Sequence, residues 1–138
     1  MKNRINSVSF VLIASVSITA MSFKESTNFK QPSSKVVTIA APEFSSLEKN
    51  KNTVVIDVRT ASETAQGVIE GVDMYFDYNS SSFTSDIAKL DKSKNYILYC
   101  RSGARSSAAA QVFVNSGFKK VYNLAGGIMN WKGKIVKK

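Results

Sequence analysis

The chain has 138 residues, of which 43% are hydrophobic, 10% aromatic and 21% charged. That composition suits a globular protein and disfavours a disordered, collagen-like or coiled-coil one, and the length allows one domain and argues against two. There is one cysteine and no histidine, and the net charge is +9. An internal disulfide is therefore impossible, zinc sites built from Cys and His clusters are excluded, and the Ser-His-Asp and Cys-His catalytic plans fall with them for want of an imidazole base.

At the start of the chain, Lys2 and Arg4 precede the apolar, serine-dotted run Val8 to Phe23 (VSFVLIASVSITAMSF). A basic start, an apolar stretch and then small residues form the pattern of a secretory signal. The run has 16 residues with four serines and a threonine, short of the ~18–20 apolar residues that a spanning helix needs. Residues 1–22 are thus expected to be a cleaved signal peptide, with cleavage after Ser22 or Ala20. The mature protein is expected in the periplasm or secreted, with no stable membrane anchor after cleavage. A lipid-modified cysteine is excluded there, because the only cysteine is Cys100. Residues 23–35 (FKESTNFKQPSSK) read as a flexible lead-in, which leaves 36–138 as the domain.

Within that domain, Val36 to Ala40 (VVTIA) is a β-branched edge strand. Pro42 opens a helical turn with Phe44 and Leu47 three apart. Thr53 to Val58 (TVVIDV) is almost continuously apolar, as in a strand buried on both faces of a parallel sheet. A short helix, Ala61 to Gln66, is ended by Gly67, and Met74 to Phe76 is a further strand. Ser82 to Leu90 reads as a helix, Ser82 its N-cap and Phe83, Ile87 and Leu90 its apolar face. Asn95 to Cys100 (NYILYC) is a strand, Gly103 to Asn115 an alanine-rich helix closed by Gly117, Lys120 to Leu124 a strand, and Gly127 to Trp131 a last short helix. Alternating strands and helices predict an α/β fold with a mainly parallel sheet and right-handed crossovers.

The chemistry is concentrated in YILYC-RSGARS-SAAAQVF. A strand ending at Cys100 places the sulfur at the carboxyl edge of the sheet, where open α/β folds bind ligands. The helix that follows aims its unpaired N–H groups at that sulfur, Gly103 lets the backbone curl into an anion nest, and Arg101 and Arg105 add full charges. In such settings a thiol pKa of about 8.5 falls to roughly 3.5–7.5. The bland alternative, an inert buried cysteine, fits poorly with a glycine and two arginines in the next five residues.

Charge points the same way. All ten acidic residues lie at or before Asp91, and from Lys92 onward there are ten Lys and Arg and no Asp or Glu. A basic half that holds the only cysteine draws small anions. Lys132, Lys134, Lys137 and Lys138 read as a solvated tail with the capacity to dock an acidic protein partner. Nucleic acid is not expected as a partner, since no aromatic-basic motif of the RNA-binding type is present.

Four motifs in this order resemble the rhodanese-like single-domain sulfurtransferases over about Val36 to Lys134: Asp57-Val58-Arg59-Thr60 with Glu63, Gly67 to Val72, Cys100 to Ser106, and Asn123-Leu124-Ala125-Gly126-Gly127-Ile128 followed by Trp131. The resemblance implies an α/β, three-layer sandwich with a mainly parallel central sheet of about five strands. It implies that Cys100 takes the outer sulfur of a small anionic donor such as thiosulfate, becomes a persulfide, and passes the sulfur to cyanide or a thiol acceptor. This is two-step covalent catalysis with no cofactor and no metal. Arg101, Ser102, Gly103, Ala104, Arg105 and Ser106 would form the anion-binding loop. Asp57, Arg59 and Glu63 would be structural supports, with Arg59 paired to Glu63. Gly126-Gly127 would make a tight turn and Trp131 would pack in the core. Two departures stand out: Val68 occupies the place of the usual His, and Met74 to Ser85 lacks the family's small-apolar and proline run.

Three rivals remain. A cysteine phosphatase or arsenate reductase needs five residues between Cys and Arg, whereas four separate Cys100 from Arg105. A non-enzymatic rhodanese-like module would bind a partner or carry sulfur, although such members commonly lack the cysteine. A thiol redox protein would need an external thiol, because no second cysteine can resolve an oxidised one.

Overall fold

A computed structural model describes residues 34–138. The signal reading of residues 1–22 and nearly all of the 23–35 lead-in lie outside the described residues. The described residues form seven strands and four α-helices: β1 (Val36–Ile39), α1 (Ala41–Leu47), β2 (Thr53–Asp57), α2 (Ala61–Ala65), β3 (Val68–Ile69), β4 (Met74–Tyr75), α3 (Phe83–Ile87), β5 (Asn95–Tyr99), α4 (Ala104–Asn115), β6 (Lys120–Leu124) and β7 (Ile135–Val136), with a 3-10 turn at Gly127–Asn130 before β7. No described helix is long and apolar enough to cross a membrane.

The main sheet has the order β1-β6-β5-β2-β4, and every neighbouring pair in it is parallel. All five strands therefore end on one edge, and Cys100, Val58 and Ala125 leave the sheet side by side. The central strands β2 and β5 are buried at every residue, which explains their unbroken apolar runs: a parallel strand covered on both faces has no position for a solvated side chain.

Alternation along β2 divides the core in two. Val54 and Ile56 face a layer made with Phe83 and Ile87 of α3 and Ala109, Ala110 and Phe113 of α4. Phe113 anchors that layer, with ring centroids 4.8 Å from Phe118 and 5.4 Å from Tyr96. Val55 faces the opposite layer, with Phe44 of α1, Ile69 of β3, Tyr99 and Leu124. Trp131 lies against it, its ring edge-on to Phe44 at 4.8 Å. The molecule is thus a three-layer α/β sandwich. Side chains of this size contribute ~1.5–3 kcal/mol each when fully buried, so these two layers hold the sheet edge in place.

Three local features depart from expectation. Ser82 precedes α3 but makes no side-chain cap, because its backbone is already helical at φ −84°. The last helix is a 3-10 turn that stops at Asn130. A second, two-stranded sheet pairs β3 with β7 antiparallel, Val68 opposite Val136 and Ile69 opposite Ile135.

Candidate active site

Cys100 follows β5, and the chain turns sharply at Arg101–Gly103 into α4. Gly103 makes the turn possible with φ +101°, a conformation that side chains with a Cβ disfavour. The turn brings the Gly103 N–H to 3.1 Å from Cys100 Sγ. The expected arrangement of a helix N-terminus aimed at the sulfur is present.

A second turn buttresses this loop from below. After β6, Gly126 and Gly127 take φ of +72° and +58°, forming the expected tight turn. The Ile128 N–H then donates to the Cys100 carbonyl at 2.9 Å, and the Met129 N–H to the Arg101 carbonyl at 3.0 Å. A Cβ on Gly127 would meet the Arg101 carbonyl oxygen at 2.6 Å, so only glycine lets the two turns approach. With their carbonyls tied to this turn, Cys100 and Arg101 leave the following N–H groups to face the sulfur.

Ser106, on the first turn of α4, is fully buried. Its hydroxyl donates to Asn123 Oδ1 at 2.6 Å and lies 3.3 Å from Cys100 Sγ. Burial pushes the Cys100 thiol up, but hydrogen bonds from the Ser106 hydroxyl and from the N–H groups of Ser106, Gly103 and Ser102 outweigh it. The net effect holds the thiol below its ordinary value without a histidine. Asn123 carried no role in the sequence reading. The signal that points to it is register: in the β5–β6 pairing Asn123 stands opposite Leu98, two residues before the cysteine.

The remaining site residues divide into two ion pairs. Arg59 does not pair with the Glu63 side chain, which corrects the pairing that the family resemblance implied. Its Nη2 lies 2.7 Å from Asp57 Oδ2, its Nε donates to both Asp57 oxygens, and Nη2 also donates to the Gly67 carbonyl at 2.7 Å. Asp57 is 0% exposed, and a carboxylate so enclosed needs a cation at contact. The turn after β2 folds Arg59 back to provide it. Glu63 instead caps α2 by accepting from the Thr60 N–H at 3.1 Å, and reaches across to Arg105, whose Nη1 and Nη2 donate to its two oxygens at 2.8 and 2.6 Å. Arg105 hydrogen bonds, with support from Thr60, hold the Glu63 carboxyl down at about 2 against some desolvation.

Arg101, Ser102 and Ala104 are exposed, and Arg105 is half-buried. Among the described residues Arg101 makes no salt bridge. Beside the loop lies a cavity of about 410 Å³ lined by Arg59, Glu63, Gln66, Arg101 and Ile128. Among the described residues no cluster of His, Cys, Asp or Glu has the form of a metal site. Cys100 itself is 1% exposed and shares the α3–α4 core layer, yet its sulfur faces amides rather than aliphatic carbon alone. The arrangement is chemically a nest for an anionic sulfur at the base of a loop.

A family model for the rhodanese-like domain matches residues 40–134. The chain is 32% identical over 85 residues to a sulfurtransferase of Allochromatium vinosum, covering 62% of this chain and 77% of that protein. It is 33% identical over 86 residues to the thiosulfate sulfurtransferase GlpE of Coxiella burnetii, covering 62% and 78%. Among solved structures, a rhodanese-like domain protein from Staphylococcus aureus superposes with a TM-score of 0.62 at 23% identity, over 75% of this chain and 99% of that one. The match spans the Asp57, Cys100 and Gly126-Gly127 segments together, and the chain belongs to the rhodanese-like domain family.

Proposed function

We propose that the protein is a sulfurtransferase that carries sulfane sulfur as a persulfide on Cys100. The observation that carries this reading is the Gly103 N–H at 3.1 Å from Cys100 Sγ, in a chain whose relatives include sulfurtransferases. The thiolate attacks the outer sulfur of a donor such as thiosulfate. The S–S bond of the donor breaks, sulfite leaves with the bonding pair, and Cys100 keeps the sulfur as Cys–S–S⁻. An acceptor thiolate or cyanide then attacks that outer sulfur and regenerates the Cys100 thiolate. No electrons are gained or lost overall, which is why a single cysteine suffices. The loop N–H groups stabilise the negative sulfur in both states.

The N-terminal pattern of residues 1–22 supports export, with sulfur transfer taking place in the periplasm or outside the cell. An acidic protein is the partner that the basic tail fits, through Lys132 and Lys137; Lys134 is already 2.7 Å from Glu70 and Lys138 lies over the Tyr75 ring.

The burial of Cys100 to 1% favours a second reading, a module that holds sulfur or binds a partner without turnover. Incubation of the full chain with thiosulfate, followed by mass spectrometry and cyanide-dependent thiocyanate release, separates the two. A gain of one sulfur on Cys100 with steady thiocyanate production is the expected result, and Cys100→Ser abolishes both while keeping the fold. Sulfur-loaded protein without turnover favours the carrier. Turnover retained in Cys100→Ser would falsify the assignment of the nucleophile.

A further inference from the structure

The chain carries a large excess of positive charge, +9 overall, yet most of the positive charge around the Cys100 loop is already paired with carboxylates. Arg105, on the first turn of α4, is a guanidinium that an anionic donor would seek. Both of its terminal nitrogens are occupied by Glu63. Arg59 is committed to Asp57 and the Gly67 carbonyl. Of the three guanidiniums around the loop, only Arg101 makes no salt bridge among the described residues, and Glu63 lines the same cavity as Arg101. A dianion approaching Cys100 therefore meets three guanidiniums of which two are already paired with carboxylates, and must also approach the charge of the thiolate it reacts with.

The cavity is also larger than an inorganic donor needs. Its volume of about 410 Å³ falls within the ~300–1,000 Å³ range of sites that hold small organic ligands, and a five-atom oxyanion fills only a small part of it. Its walls are mixed: the uncommitted cation of Arg101, the Arg59 guanidinium already paired with Asp57, one carboxylate in Glu63, the Gln66 amide and the Ile128 side chain. Such walls suit a small zwitterionic or singly charged organic group better than a compact dianion.

Resting on the sulfurtransferase reading above, we infer that Glu63 is a specificity-determining residue which, by occupying Arg105, biases Cys100 toward a low-molecular-weight organic persulfide over thiosulfate as sulfur donor. The step balances as Cys100–S⁻ attacking the outer sulfur of R–S–SH. The S–S bond of the donor breaks, R–S⁻ leaves and takes the proton, and Cys100–S–S⁻ remains. The R–S group would sit in the cavity beside Arg101, the residue next to Cys100.

The test measures kcat/KM of the full chain with thiosulfate and with cysteine persulfide, in the wild type and in Glu63→Gln. The amide retains an oxygen that accepts from the Thr60 N–H but loses the charge that holds Arg105. The wild type is expected to prefer cysteine persulfide. In Glu63→Gln the thiosulfate-to-persulfide ratio of kcat/KM is expected to rise about tenfold, the effect of one unit charge at contact in a partly solvated site, mostly through a lower thiosulfate KM. A loosened fold would depress both donors and leave the ratio in place. Glu63→Asp, whose shorter carboxylate keeps the charge but draws back from the two Arg105 nitrogens, is expected to move the ratio the same way by a smaller factor and serves if Glu63→Gln does not fold. A wild type that prefers thiosulfate, or a ratio unmoved in the folded variants, overturns the inference while leaving sulfur transfer standing. Absence of sulfur on wild-type Cys100 with either donor overturns the sulfurtransferase reading, and this inference with it.

Discussion

The Ser106 hydroxyl is 2.6 Å from Asn123 Oδ1, and that short bond sets the terms on which it can serve the cysteine. A hydroxyl has one proton to donate, and Cys100 Sγ at 3.3 Å and the Gly103 carbonyl at 3.2 Å compete with Asn123 for it. Removing the hydroxyl in Ser106→Ala therefore raises the Cys100 pKa, and the acid limb of the activity profile moves to higher pH. Removing the competitor in Asn123→Ala releases the proton to the sulfur, and the limb moves to lower pH. The second change leaves a gap at a site only 5% exposed and is expected to cost ~1–3 kcal/mol in stability. Iodoacetamide alkylation rates followed against pH check both directions; shifts of the same sign in the two variants contradict this division of the proton.

Gly127 is where the two turns touch. Alanine there would place its Cβ 2.6 Å from the Arg101 carbonyl oxygen at a φ of +58°, so strain and collision add. A loss of at least ~2 kcal/mol is expected, since a left-handed non-glycine residue alone costs of order 1–3 kcal/mol. The collision pushes the Cys100 loop outward, so sulfur loading should fall more than folding does. Urea unfolding together with persulfide yield at a denaturant-free condition measures the two effects separately. A variant with wild-type stability would show that the turns have room to part.

Glu63 links stability to acid. Its carboxyl is held down at about 2 by Arg105 and Thr60, below the ordinary carboxylate range near 4.3. The unfolded chain binds this proton first as pH falls, so the stabilisation from the ionised group is complete above about pH 4.3 and is lost on descending toward about 2. Urea midpoints of the wild type should fall across that window more steeply than those of Glu63→Gln, which has no proton to bind there. Parallel curves for the two proteins would show that the Arg105 pair does not stabilise the fold.

Most elements of the fold were legible because their signal is local. The unbroken run TVVID of β2 and the strand NYILY of β5 can only be covered on both faces, and the alanine-rich stretch after Gly103 can only be a helix packed closely on a sheet. The β3–β7 ribbon was not legible. Each strand has two residues, too few to show a period, and each is a strand only because the other is present. The Cys100 loop was legible for the same local reason as β5: cysteine, glycine and helix start follow one another in sequence. The partners of the flanking charges were not. Arg59 and Glu63 are spaced like neighbours on a helix, but Arg59 precedes the helix, and the turn after β2 sends its side chain back to Asp57. Asn123 reaches Ser106 only through the register of β6 against β5, which no single segment specifies.

The nest around Cys100 is assembled from parts that the chain makes at different times. Its floor is the Gly126-Gly127 turn, synthesised after the sulfur, and that turn is held in place by β6, which itself lies between β1 and β5. Until β6 has paired with β5, that turn is not in place to hold the Cys100 and Arg101 carbonyls, and the loop amides are not fixed against the sulfur. The surroundings that hold the Cys100 thiol below its ordinary value are thus a property of the finished sheet rather than of the loop sequence alone.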